Sequence, residues 1–207
     1  MNRAYSITEL LNMKKKVFEF ENEWKDAFGT PEVRGIWFVY GNSSSGKTRF
    51  ILQLAKYISQ FEKVIYNSLE EEFEATLQNA LIAVKMDEVA TRVRFVHEPI
   101  AALSERLSQK HSPGVVIIDS FQYSGLNYKS YRELKEKHRN KLIILISHAD
   151  GKSPAGRAAK SVMYDASLKV WVEGYKAISK GRYIGETGEY TIWYEGAKKY
   201  WGDFKSN

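Results

Sequence analysis

The chain has 207 residues, 43% of them hydrophobic and 27% charged, the balance of one globular domain large enough to bury a core. No apolar stretch approaches the length of a membrane span and no secretory leader is recognisable. The lack of cysteine excludes disulfide frameworks and thiolate metal sites, so the expected setting is cytoplasmic, with no membrane partner. Net charge is +6, from 31 basic and 25 acidic residues, which allows a nucleic-acid partner without establishing one.

Ser6-Ile7-Thr8-Glu9 has capping-box spacing and predicts a helix running toward Lys16, followed by Phe18, Phe20 and Trp24. Gly29-Thr30-Pro31 then breaks the chain. Residues 1–33 therefore read as a helical arm that packs on this domain or on a neighbouring copy, with 34–207 as the main domain. That domain opens with an apolar strand at 35–40, and Phe50, Ile51, Leu54, Ala55 and Ile58 then repeat at helical spacing. A strand at 63–67, a helix from Glu71 to Val84, a strand at 93–96 and a short helix near 101–109 follow. Residues 115–118 form a fully apolar run, as a central parallel strand requires. A helix over 130–138 and a buried strand over 142–146 come next. After Leu168 the pattern changes to short alternating runs (168–172, 175–179, 190–194) separated by glycines, which predict antiparallel hairpins. The fold class expected from this alternation is α/β: a mostly parallel sheet flanked by helices, with antiparallel hairpins at its C-terminal end.

Between the first strand and its helix lies Gly41-Asn42-Ser43-Ser44-Ser45-Gly46-Lys47-Thr48, a full match to G-x-x-x-x-G-K-[ST]. Small residues let the backbone curl so that successive N–H groups face phosphate oxygens, and the following helix adds the positive end of its dipole. Lys47 is expected to reach the β- and γ-phosphates of ATP and the Thr48 hydroxyl to coordinate Mg2+. Asp119 ends the apolar strand at 115–118, where its carboxylate can hold the same ion; the plainer alternative is a turn residue. Asn67-Ser68-Leu69-Glu70-Glu71-Glu72 follows the second strand, where carboxyl ends of parallel strands line a ligand crevice. Glu70 is the candidate base for the attacking water, whereas Glu71 and Glu72 fit a helix N-terminus. His148, after the strand at 142–146, is placed to sense the γ-phosphate or is incidental.

In this order the Walker A loop, the strand ending Ser68-Leu69-Glu70, Ile117-Ile118-Asp119-Ser120-Phe121-Gln122, Ile146-Ser147-His148 and Lys180-Gly181-Arg182-Tyr183-Ile184-Gly185 resemble the RecA-like ATPase core. The set looks most like the branch that holds DnaB-type hexameric replicative helicases and the RadA/Sms recombination proteins. The resemblance implies that Glu70 activates water, that His148 stands where the recombination relatives carry histidine, and that Lys180 and Arg182 reach a neighbour's γ-phosphate. It therefore implies a homo-oligomer, ring or filament, with active sites between protomers. From spacing alone, a basic hairpin on a solvated edge is the better reading of Lys180 and Arg182, and only the resemblance favours the reach to a neighbour. The chain has no room for a helicase's N-terminal domain or for the zinc-binding and protease-like additions of the recombination proteins. It reads as a stripped core of the kind carried by phages or mobile elements.

In RecA-like rings, loops after the Walker B strand and the next strand face the channel. Here 120–130 offers Tyr123, Tyr128 and Lys129, and 149–161 offers a mobile basic loop with Lys152, Arg157 and Lys160 suited to DNA, single-stranded above all. Ordinary polar surface loops are the plainer alternative. The function expected is thus an oligomeric, Mg2+-dependent ATPase acting on DNA. The alternative is an ATP-gated protein-interaction module with slow hydrolysis and no translocation. A small-molecule kinase is disfavoured, since neither a lid nor an acceptor pocket is legible.

Overall fold

The computed structural model describes residues 3–202. Its strands are β1 (Gly35–Gly41), β2 (Val64–Ser68), β3 (Val93–Val96), β4 (Val115–Asp119), β5 (Leu142–Asp150), β6 (Ser153–Pro154), β7 (Leu168–Glu173), β8 (Lys176–Ser179) and β9 (Glu189–Thr191). The sheet runs β3-β2-β4-β5-β1-β7-β8-β9, with β6 paired to the end of β5. From β3 to β7 every pairing is parallel, and β8 and β9 add antiparallel strands. The expected α/β class is what the chain adopts.

Parallel strands are covered on both faces, and β1, β4 and β5 are accordingly apolar almost throughout. Trp37, Val39, Tyr66, Ile117 and Ile144 point to one face, where α3 (Lys47–Ile58) packs through Phe50, Ile51, Leu54 and Ile58. Phe38, Ile118, Ile143 and Leu145 point to the other, covered by α5 (Ile100–Ser108), α6 (Tyr128–Lys137) and α7 (Arg157–Asp165).

The N-terminal region divides in two. The capping box on Ser6 and Glu9 forms, but helix α1 spans only Ile7–Leu11, short of Lys16, and residues 3–16 are exposed throughout. A lone turn or two of helix with no buried face has little to hold it. From Phe18 onward the chain belongs to the core. Phe18 and Phe20 are buried, and α2 (Asn22–Phe28) buries Trp24, which stacks on Tyr57 at 4.8 Å and Tyr190 at 4.2 Å. The end of α2 is closed by residues distant in sequence: Gly185 N–H donates to Ala27 O (3.2 Å), while Thr187 and Gly188 N–H donate to Asp26 O (2.9 and 3.0 Å). Gly185 lies so close that a Cβ there would meet Lys25 O at 2.1 Å.

Three other expectations are corrected. Helix α4 spans Ala75–Ala83, so Glu71 and Glu72 precede it and do not serve as its first turn. The segment 149–161 is ordered: β5 and β6 pair tightly around Gly151 and Lys152, and α7 begins at Arg157. The expected strand 190–194 stops at Thr191, after which Tyr194–Trp201 forms helix α8. Both unforeseen helices are amphipathic but short, and aromatic residues made the second read as a strand.

Candidate active site

The phosphate loop leaves the carboxyl end of β1 and enters α3. Gly41 has no space for a side chain, since a Cβ would lie 2.3 Å from Val172 O, and Gly46 turns the chain with φ at +100°. Lys47 Nζ donates to Asn42 O at 2.7 Å, which curls the loop back on itself, and Ser43 and Ser44 stand at the cavity rim. The Ser45 hydroxyl is buried with no hydrogen-bond partner among the described residues.

Strand β5 lies between β1 and β4, so Asp119 faces the loop from one strand further along the sheet. Tyr66, buried in the next strand, donates its hydroxyl to Asp119 Oδ2. Glu70 is drawn to the same place by its own backbone: the N–H groups of Leu69 and Glu70 both donate to Asp119 O (2.5 and 3.1 Å). Its Oε2 meets His148 Nε2 at 2.8 Å. His148 is fixed in turn by Gln122, whose Oε1 accepts the His148 N–H (3.1 Å) and whose Nε2 donates to Ser147 Oγ (2.8 Å) and Ala155 O (3.1 Å).

These groups share one cavity of about 430 Å3, lined by Lys47, Thr48, Ser68, Glu70, Glu71, Asp119 and His148, with Arg49 and Tyr175 on the opposite flank. Burial pushes the Asp119 carboxyl up to about 6; the Tyr66 hydroxyl and Lys47 oppose the shift, while Glu70 and Glu71 add to it. Burial pushes the Lys47 ammonium down, against the pull of Glu70 and Asp119. Both are charges removed from water and short of a counter-charge, the condition that an anionic ligand and a cation would relieve. Among the described residues no group of three or more acidic, histidine or cysteine side chains can hold a metal alone. The oxygen donors Thr48 and Asp119 instead suit Mg2+, which takes one or two protein ligands and completes its shell with phosphate and water.

An independent comparison bears on the fold. The structure is similar to the crystal structure of flagellar accessory protein FlaH from Methanocaldococcus jannaschii, with a TM-score of 0.58 and 13% identity, over 84% of this chain and 90% of that one. The fold is RecA-like. No protein-family model and no curated protein sequence matches the chain.

The remaining candidates lie elsewhere. Lys180 and Arg182 are exposed, and Arg182 N–H donates to Ser167 O (3.0 Å) at the amino end of β7, the end of the sheet away from the phosphate loop. A strand of six residues separates the two ends, roughly 20 Å, so Arg182 cannot serve its own cavity. Lys152, Arg157 and Lys160 are all exposed, on the β5–β6 turn and α7 beyond the carboxyl ends of the strands. Tyr123 is exposed with its ring 6.4 Å from that of His148, and Tyr128 begins α6. No described helix is long and apolar enough to cross a membrane. Sequence reasoning missed Tyr66, Gln122, Arg49 and Tyr175. For Gln122 a signal existed, its place three residues past Asp119; for Tyr175 only the structure brings the hairpin tip to the loop.

Proposed function

We propose that this chain is a Mg2+-dependent nucleoside triphosphatase, with ATP the expected substrate. The observation that carries the reading is the Glu70 carboxylate, held by His148 on the wall that faces Lys47 and Thr48. Bound Mg2+, held by Thr48 and Asp119, would supply charge neutralisation on the phosphate oxygens. Lys47 neutralises the β- and γ-phosphates, and the loop N–H groups hold them in place. Glu70 accepts the proton of the water that attacks the γ-phosphorus, the bond to the β-phosphate oxygen breaks, and the diphosphate leaves. His148 keeps the carboxylate aimed at that water. Phosphate release from wild type, Glu70→Gln and Lys47→Ala tests this. Glu70→Gln should turn over at least about 100-fold more slowly while still binding nucleotide, and Lys47→Ala should lose binding. Wild-type turnover in Glu70→Gln would remove Glu70 from the chemistry.

The proposal extends to an oligomer, ring or filament, that acts on single-stranded DNA. The position of Arg182 supports it: a guanidinium unable to reach its own cavity suits a neighbour's γ-phosphate, where it would make hydrolysis depend on assembly. Lys152, Arg157 and Lys160 would supply the phosphate contacts, and the likeness to the helicase and recombination branch points the same way. Light scattering with nucleotide and oligonucleotide, beside turnover across a salt series, tests both parts. A monomer whose turnover ignores oligonucleotide would exclude them. The second reading, an ATP-gated protein-interaction module, is favoured by the exposed Ile7, Leu10 and Leu11 in a segment that buries nothing on its own domain. Glu70→Gln trapping a protein partner without DNA would select it.

A further inference from the structure

The hairpin between β7 and β8 keeps a tyrosine where the backbone asks for glycine or asparagine. Gly174 and Tyr175 close it with φ of +52° and +60°, between the paired residues Glu173 and Lys176. Mirror-image turns of this kind favour Asn-Gly, and a bulky residue at positive φ is strained. Strain of this sort persists where the surroundings hold it, and here they do. The ring lies against the phosphate loop, since a Cβ on Gly46 would come within 2.9 Å of Tyr175 Cδ1. On its other side Gly196 leaves room, since a Cβ there would sit 2.7 Å from Cδ2. Trp193 packs edge-on at 5.0 Å, Tyr175 N–H donates to Ser45 O (3.1 Å), and Tyr175 O accepts from Ile192 N–H (2.8 Å). The aromatic group is thereby clamped to the cavity wall.

Arg49, next after Thr48, stands beside it. Its guanidinium lies over the Trp193 ring at 5.5 Å, and its buried Nε has no hydrogen-bond partner among the described residues. The order of strands then sets the direction of a bound ligand. β1 lies between β5 and β7; Glu70, Asp119 and His148 occupy the β5, β4 and β2 side and mark the γ-phosphate end. The rest of the nucleotide leaves toward β7 and β8, where Arg49 and Tyr175 line the cavity.

We infer that Tyr175 and Arg49 form a nucleobase subsite that grips the flat face of the base and leaves its hydrogen-bonding edge unread. The substrate class is then nucleoside triphosphates taken without regard to the base, adenine and guanine alike. Stacking on an aromatic ring is tolerant of base identity. Neither a tyrosine ring nor a guanidinium stacked on Trp193 supplies the paired donor and acceptor by which asparagine or glutamine reads adenine. This rests on the triphosphate site proposed above.

The test is titration of the full chain in Mg2+ with ATP, GTP and inorganic tripolyphosphate, for wild type, Tyr175→Asn and Tyr175→Phe. Asparagine tolerates the left-handed backbone, so the hairpin survives while the ring is lost. Wild type should bind ATP and GTP within about threefold of each other, and Tyr175→Asn should weaken both about tenfold with tripolyphosphate unchanged. Tyr175→Phe should restore nucleotide binding. A parallel loss of tripolyphosphate would mean that the ring only props the loop, and a hundredfold preference for one purine would mean that the edge is read; either overturns the inference. Wild type that binds none of the three ligands would overturn the triphosphate site itself.

Discussion

Replacing Asp119 by asparagine should make the ligand-free protein more stable while removing its response to Mg2+. Burial lifts this carboxyl to about 6 from the ordinary 3.8. The folded chain therefore binds the Asp119 proton more tightly than the unfolded chain, and wild type loses stability as pH rises through that interval. Asparagine fills the same volume, still accepts from Tyr66, and does not ionise. The advantage of Asp119→Asn should grow from about 1–2 kcal/mol near pH 5 to about 3 kcal/mol near pH 8, from the linkage integral over that shift. Urea unfolding in chelator across this range measures it. With Mg2+ and nucleotide at about 100 times the dissociation constant, wild type should regain about 2.7 kcal/mol. Asp119→Asn should gain much less. An asparagine variant less stable than wild type near pH 8 would refute the reasoning, because the carboxylate would then be a structural acceptor and not a charge held out of water.

Other consequences are as direct. Trp24→Ala should cost about 3–5 kcal/mol, read by thermal or urea unfolding, because it empties the space between Tyr57 and Tyr190. Gly185→Ala should cost about 2 kcal/mol or more in the same assay, since its methyl would meet the backbone oxygens of Lys25 and Asp26. Gln122→Ala should slow phosphate release about tenfold or more at unchanged nucleotide affinity, because only the aim of His148 is lost.

What the sequence made legible was whatever depends on short-range pattern. The Gly41 to Thr48 loop needs one run of residues, and 115–118 declares itself as a buried strand by composition alone. Glu70 and Asp119 could be placed because the carboxyl ends of parallel strands gather at one edge. Contacts across the fold were not legible. Nothing near Tyr66 in the chain indicates that its hydroxyl meets Asp119, 53 positions later, and nothing near Asp26 indicates that residues 187 and 188 cap it. Where the arm packs stayed open for a related reason: Phe18, Phe20 and Trp24 have no local partners, so whether they face this core or another is settled only by packing.

Two inter-strand gaps, about 10 Å in all, lie between the strand that delivers the lysine and the strand that delivers the aspartate. Were they adjacent, ammonium and carboxylate could neutralise each other and close the site. Held one strand apart, Lys47 turns to Asn42 and Asp119 to Tyr66, each occupied by a neutral neighbour. The intervening strand works as a spacer that keeps two opposite charges from cancelling, so that both stay available to a guest.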